Sequence, residues 1–227
     1  MTPKEQWASV DHYITDRLAL SDSALTAALE DSEAAGLPPI SVTAAQGKFL
    51  HLLARLHAAR TILEIGTLGG YSTIWLARAL PVGGSLITLE ASAKHADVAR
   101  TNIARAGFAD VVELRLGPAL ELLPHLAAEN RAPFDLIFID ADKPSTPEYF
   151  NWALKLSRPG SLIIVDNVIR GGEIANVESD DPSIVGMRRF FDLVSKEKRV
   201  SATALQTVGS KGYDGFALVL VSDAPDV

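Results

Sequence analysis

The chain alternates short, nearly uninterrupted apolar runs with longer segments in which apolar residues recur at helical spacing. Seven runs predict β-strands: Thr61–Ile65, Ser85–Leu89, Val111–Leu116, Asp135–Ile139, Ser161–Val165, Ser201–Val208 and Phe216–Val221. Several are apolar at almost every position, as is typical of strands buried on both faces of a parallel sheet. The helical spacing predicts five helices between them: Tyr71–Leu80, Ser92–Ala106, Ala119–Glu129, Thr146–Ser157 and Ile184–Lys198.

This alternation predicts an α/β fold with a Rossmann-like sheet of seven strands, mostly parallel, and helices on both faces. Only Gly209–Gly215 separates the last two runs, which is too short for a parallel crossover, so they predict an antiparallel C-terminal hairpin. Residues 1–60 contain no predicted strand. They predict three helices: Lys4–Ala19, Asp22–Ala35 and Thr43–Ala58. We therefore expect one domain over residues 1–227, with a helical N-terminal appendage (1–60) and a sheet core (61–221).

Composition narrows the possible partners. The chain has 227 residues, 48% of them hydrophobic, and a formal net charge of -7. Because phosphate backbones attract basic surfaces, this charge disfavours nucleic acid and favours a small molecule. The chain has no cysteine, so any metal must bind to oxygen or imidazole. No stretch has the apolar length of a signal peptide or a membrane span, and we expect a cytoplasmic protein without membrane contact.

Acidic residues cluster where the predicted strands end. Ligands of open α/β sheets bind beyond the carboxyl ends of the strands. Glu64 lies just before a turn, Gly66-Thr67-Leu68-Gly69-Gly70, that lacks the dinucleotide spacing, and a carboxylate there would repel a pyrophosphate. Glu90, at the end of the second run, is placed to bind ribose hydroxyls. A cationic adenosine ligand, S-adenosylmethionine, fits this turn better than a dinucleotide; the alternative is an ordinary turn with solvent-exposed acids.

A second group of acids follows the fourth and fifth runs. If these strands are neighbours, Asp140, Asp166 and Asn167 converge at one edge of the sheet. Two carboxylates and an amide oxygen suit a hard cation, with magnesium the natural occupant and calcium or manganese possible alternatives. The other interpretation is that Asp140 and Asp166 cap the helices that follow them.

Lys143 follows Asp140 by three residues, in a segment that Pro144 and Pro147 predict to be a loop. A lysine beside a divalent cation and shielded from water gives up its proton more readily, which suits a general base. The alternative is a solvated lysine paired with Asp142.

Six motifs then resemble a known family. In chain order they are LEIGTLGGYS (63–72), the acid Glu90, LGPAL (116–120), FIDADK (138–143), VDN (165–167) and GSKGYDGF (209–216). The chain resembles, from about Val42 to Val221, the bacterial cation-dependent, S-adenosylmethionine-dependent O-methyltransferases of the caffeoyl-coenzyme A and catechol type. The resemblance implies a methyltransferase sheet and a homodimer.

The resemblance also implies roles for individual residues. Positions matching cofactor-binding residues are Val42, Glu64, Gly66, Thr67, Ser72, Glu90, Ala119 and Asp140. Asp140, Asp166 and Asn167 match metal ligands, and Lys143 and Asp140 match catalytic positions. The implied reaction is methyl transfer from S-adenosylmethionine to a hydroxyl of a small catechol-like or phenolic acceptor that chelates a divalent metal.

The chain departs from the plant members of this family in two places. Pro144-Ser145 stands where plant members carry an Asn-Tyr pair, and the long substrate-recognition insertion of the plant enzymes has no counterpart. We therefore prefer a small vicinal diphenol to a coenzyme A ester, with the N-terminal helices and the loop 169–182 as the acceptor wall. Two alternative functions remain open: an NAD-dependent oxidoreductase and a non-catalytic S-adenosylmethionine-binding protein.

Overall fold

The computed structural model describes residues 1–18 and 20–223. Its strands form one seven-stranded sheet with the order β3-β2-β1-β4-β5-β7-β6. Their bounds are β1 Thr61–Ile65, β2 Ser85–Glu90, β3 Val112–Leu116, β4 Leu136–Ile139, β5 Leu162–Asp166, β6 Val200–Gly209 and β7 Gly212–Val221. The first five strands are parallel and β7 is antiparallel to β5 and to β6. The predicted fold class is confirmed, and the strand order reverses between β1 and β4, where such sheets bind ligands.

Eight α-helices are described. They are α1 Pro3–Leu18, α2 Ser23–Ala34, α3 Ala44–Leu56, α4 Tyr71–Ala77, α5 Ala93–Arg105, α6 Ala119–Ala128, α7 Thr146–Lys155 and α8 Pro182–Lys196. Every predicted helix is present within a few residues of its predicted bounds; the predicted end of the first, Ala19, lies outside the described residues. None of the described helices is long and apolar enough to cross a membrane.

Two hydrophobic layers enclose the sheet, because successive residues of a strand point to opposite faces. Ile62 of β1 packs in the layer that contains Leu25, Leu50 and Ile103 from the helices of one face. Leu63 packs in the other layer, with residues of α6, α7 and α8. The N-terminal helices α2 and α3 thus contribute to the core, which makes them part of the domain rather than a detachable segment.

The C-terminal hairpin is longer than predicted. Strands β6 and β7 pair from Val200 with Val221 to Gly209 with Gly212, so only Ser210 and Lys211 form the turn. The predicted seven-residue connection is wrong because Gly215 lies inside β7, where an added Cβ would come within 2.2 Å of the Leu205 carbonyl oxygen. The hairpin tip therefore reaches beyond the sheet toward α1, and Asp11 accepts a hydrogen bond from the Ser210 amide over 2.7 Å.

Candidate functional site

A cavity of about 540 Å³ opens at the carboxyl ends of the parallel strands. Nine of the predicted site residues line it: Val42, Gly66, Thr67, Ser72, Glu90, Ala119, Asp140, Lys143 and Asn167. Asp166 lines a second cavity, of about 310 Å³, that shares Ile40, Ser41, Val42 and Asn167 with the first. Glu64 lines neither of these cavities. The structure thus brings ten of the eleven predicted residues to two adjoining cavities.

The turn after β1 approaches the end of β4 more closely than a side chain would allow. Gly66 has a φ of +98°, and a Cβ there would lie 2.1 Å from the carbonyl oxygen of Asp140. Only glycine fits this conformation and this contact. The turn leads into α4, which begins at Tyr71, and Tyr71 and Ser72 of its first turn line the cavity.

Glu90 connects the end of β2 to this turn. Its carboxylate accepts hydrogen bonds from the amides of Thr67 (3.2 Å), Leu68 (2.8 Å) and Ser92 (2.9 Å), and His95 Nδ1 lies 3.4 Å away. A carboxylate has about four acceptor sites, and Glu90 still lines the cavity. Glu90 therefore fixes the conformation of the turn and also faces the cavity. The sequence did not indicate its role in the turn.

Glu64 lies beneath the turn and is fully buried. The hydroxyls of Ser72, Thr73 and Thr88 donate hydrogen bonds to its carboxylate over 2.5–2.7 Å. Burial raises the pKa of the Glu64 carboxyl to about 7, against the opposing effect of these three hydroxyls. We propose that Glu64 organises the turn and α4 from below, rather than contacting a ligand directly.

This burial predicts a pH-dependent stability. Because the pKa of Glu64 is higher in the fold than the ordinary 4.5, its stabilising contribution is complete below pH 4.5 and is lost as the pH rises through 7. The wild-type protein should lose this contribution between pH 4.5 and pH 8.5, whereas Glu64→Gln has no carboxyl to titrate. We therefore expect the free energy of unfolding of Glu64→Gln to rise by about 2–3 kcal/mol relative to that of wild type over this range. Urea titrations of both proteins across this range measure the gap. Parallel pH curves for the two proteins would contradict the assignment.

Asp140, Asp166 and Asn167 converge because β4 and β5 are adjacent and in register, with Ile139 opposite Val165. Asp166 is 6% exposed. Burial, followed by the nearby Asp140 carboxylate, raises the pKa of Asp166 to about 7. Asn167 has a φ of +57°, and its side-chain amide makes no hydrogen bond to another described residue. The set presents oxygen donors that include two neighbouring carboxylates, whose like charges repel each other.

The helix-cap interpretation of these acids is contradicted. The Asp166 carboxylate accepts a hydrogen bond from the Asn167 amide, and the caps near the site are Asp142, before the 3-10 helix Lys143–Ser145, and Asp181, before α8. The predicted loop around Pro144 is also wrong. That segment is helical because Pro147 lies in the first turn of α7, where a missing N–H costs nothing.

Lys143 pairs with Asp140 rather than with Asp142. Its Nζ lies 2.7 Å from Asp140 Oδ1, and the residue is 9% exposed. Asp142 instead accepts hydrogen bonds from the Ser145 amide and the Tyr149 hydroxyl, and burial and this contact raise the pKa of Tyr149. The solvated-lysine alternative therefore fails.

Asp214 is a site residue that the sequence did not indicate. One of its oxygens, Oδ1, accepts hydrogen bonds from the amides of Ile169, Arg170 and Gly215, each within 3.0 Å. The Val168 amide adds a bond to the Gly215 carbonyl. Strand β7 thereby holds the segment that follows Asn167. The only signal in the sequence was that Asp214 belongs to the motif GSKGYDGF.

The geometry can be compared with known proteins. The sequence model of the O-methyltransferase family matches residues 19–220. The chain belongs to the O-methyltransferase family. A catechol O-methyltransferase of Niastella koreensis is 56% identical, over 94% of this chain and 96% of its own length.

Solved members of the family share the fold closely. An O-methyltransferase of Bacillus cereus in complex with SAH is 58% identical, with a TM-score of 0.95 over 96% of this chain and 100% of that one. The O-methyltransferase TomG of Streptomyces achromogenes, in complex with SAM, is 51% identical, with a TM-score of 0.95 over 98% of this chain and 100% of that one. The predicted family and enzyme class are confirmed, which leaves no support for an NAD-dependent oxidoreductase.

Proposed function

We propose that this O-methyltransferase transfers the methyl group of S-adenosylmethionine to a hydroxyl of a small catechol-like acceptor that a divalent cation holds. The observation that carries the proposal is the arrangement of Asp140, Asp166, Asn167 and Lys143 in cavities adjoining the turn at Gly66. Relatives that bind SAM or SAH, and one whose name specifies catechol, support the same function.

The cofactor belongs at the ends of β1, β2 and β3. Gly66, Thr67 and Ser72 line the part of the larger cavity formed by the turn, and Glu90 and Ala119 line the part beyond β2 and β3. The turn accommodates the amino-acid portion without a phosphate, and Glu90 is placed to accept hydrogen bonds from ribose hydroxyls. Val42 closes the cavity from the segment before α3, whose start the reciprocal Thr43 and Gln46 hydrogen bonds fix.

Asp140, Asp166 and Asn167 fit a divalent cation. Their donors are oxygens, the type that magnesium, calcium and manganese prefer, and a bound cation would relieve the repulsion between the two carboxylates. The described residues contain no group of three or more His, Cys, Asp or Glu side chains able to hold a metal, so such a site also depends on the Asn167 amide and on water. When bound, the cation would supply Lewis acidity that makes a phenolic hydroxyl more acidic.

The chain's own residues would perform the remaining steps. Lys143 Nζ, which donates a hydrogen bond to Asp140, is placed to take the phenolic proton when it is in its neutral amine form. The phenolate oxygen then forms a bond to the methyl carbon as the carbon–sulfur bond breaks, and the sulfur keeps the electron pair. Opposite charges disappear in this step, so the residues around the cavity contribute mainly by holding the two reactants in line.

The smaller cavity suits an aromatic acceptor. Phe49 of α3 and Phe216 of β7 line it, with ring centroids 4.9 Å apart, and Tyr213 lies beside them. The expected wall of N-terminal residues is present here. The hairpin of β6 and β7, which the sequence did not indicate, forms the opposite wall.

The decisive experiment measures transfer from labelled S-adenosylmethionine to catechol, with magnesium and after complete chelation. We expect transfer with magnesium and at least about a tenfold loss of rate with chelator, restored by added cation. Undiminished transfer after chelation contradicts the cation's role. Binding of S-adenosylmethionine without transfer to any diphenol contradicts the catechol-like acceptor.

The homodimer and the cytoplasmic location remain predictions. Tyr13 of α1 and Leu52 and Leu56 of α3 are large apolar side chains that are exposed in the single chain, which supports a surface between copies. Light scattering after size exclusion measures the mass in solution.

A further inference from the structure

Arg170, next to the proposed cation site, is a cation whose side chain has no partner among the described residues. It follows Asn167 by three residues and has a φ of +54°. Its Nε is buried without a hydrogen bond, and its guanidinium makes no hydrogen bond or ion pair with any residue that the structure describes. Arg188, farther along the chain, instead donates to the carbonyl oxygens of Asn176 and Ser179. Arg170 lines the larger cavity, so the donors of its guanidinium remain available to a ligand bound there.

The backbone holds Arg170 in place without using its side chain. Its amide donates to Asp214 Oδ1 over 3.0 Å, as does the amide of Ile169. Gly171 and Gly172, with φ values of +66° and +95°, then turn the chain away. The guanidinium therefore projects from a fixed point rather than from a loose loop.

The position of Arg170 is on the acceptor side of the site. It lines the larger cavity together with Asn167 and Lys143, beyond the end of β5. The proposed cofactor residues follow β1, β2 and β3, on the other side of β4 in the sheet. A ligand group that meets Arg170 therefore belongs to the acceptor and not to the adenosine end of the cofactor.

We infer that Arg170 binds a carboxylate on the aromatic ring of the acceptor, so that the preferred acceptors are catechols bearing an acid group. This inference rests on the proposed function. A guanidinium offers parallel N–H donors that match a carboxylate in a bidentate pair. Of the lysines that line the two cavities, Lys211 already donates to the Ser41 carbonyl oxygen and Lys143 pairs with Asp140, so Arg170 is the better placed cation.

The test compares 3,4-dihydroxybenzoate with its neutral amide, 3,4-dihydroxybenzamide, as acceptors. We expect wild type to have a kcat/KM at least about tenfold higher for the acid. Arg170→Gln should lower kcat/KM for the acid by about tenfold to a hundredfold and for the amide by less than about threefold. Arg170→Lys should keep part of the preference, because it retains the charge but not the planar pair of donors.

Lys211→Gln is the matched control, since it removes one positive charge from the neighbouring cavity. The acid-to-amide ratio should stay at its wild-type value in this variant. A ratio near one in wild type, an unchanged ratio in Arg170→Gln, or a collapse in Lys211→Gln alone would each overturn the inference.

A binding measurement separates this inference from the proposed function. Calorimetry with S-adenosylhomocysteine and magnesium present measures the affinities for the acid and for the amide without turnover. We expect Arg170→Gln to lose the acid's advantage in affinity, and equal losses for acid and amide would overturn the inference. Absence of methylation of every diphenol by wild type overturns the proposed function, while these affinities still decide the role of Arg170.

Discussion

Asp166→Asn is expected to lower kcat/KM by about a thousandfold, equivalent to about 4 kcal/mol of transition-state stabilisation. The substitution keeps the shape of the side chain, and its amide oxygen still accepts the hydrogen bond from the Asn167 amide. It removes the charge that a hard cation needs. Steady-state rates across a magnesium titration measure the loss, and manganese binding followed by electron paramagnetic resonance measures the cation directly.

The same variant should fold at least as stably as wild type when no divalent cation is present. Asp166 is buried beside the Asp140 carboxylate, so removing its charge relieves repulsion worth about 1 kcal/mol or more. Asp192→Asn, on the exposed side of α8, is the control and should change neither rate nor stability. A destabilised Asp166→Asn protein, or one that retains cation binding and full rate, contradicts the proposed site.

Lys143→Met is expected to lower kcat by about 10²–10⁴-fold, the usual contribution of a general base. Methionine fills the space of the buried lysine stem but cannot accept a proton. The affinity for S-adenosylhomocysteine should change little, because the proposed cofactor contacts lie at the ends of β1, β2 and β3. Single-turnover rates measure the chemical step, and calorimetry measures the affinity.

The control for this variant is Lys155→Met. Lys155 lies on α7 near Lys143 in sequence, is exposed, and packs over the Trp152 ring with its Nζ 4.4 Å from the ring centroid. We expect its kcat to stay at the wild-type value. Equal kcat values for Lys143→Met and Lys155→Met would remove Lys143 from the proton transfer.

Strands β1, β2, β4 and β5 were predictable because they are almost wholly buried, and nearly continuous apolar runs mark them. The hairpin was predictable only in outline. Most of β6 is half-buried or exposed, so its ends carry little apolar signal, and Gly212 and Gly215 resemble turn residues although they pair within β7.

The candidate site was likewise predictable only in part. Asp140, Asp166 and Asn167 were predictable because parallel strands bring their carboxyl ends to one edge. The three hydroxyls around Glu64 and the Asp214 bonds to Ile169 join residues 8 to 45 positions apart, and no local pattern encodes such pairs. That the Arg170 side chain has no partner in the part of the chain that the structure describes is likewise a property of its surroundings in space, which the order of residues does not contain.

The contact between Gly66 and the Asp140 carbonyl oxygen has a consequence for how members of the family can come to prefer different acceptors. Two backbone segments, not two flexible side chains, set the separation between the methyl donor's turn and the end of β4. Arg170 lies outside this contact, on the segment after β5. Substitutions there can retune which acceptor is chosen while the distance over which the methyl group travels stays the same.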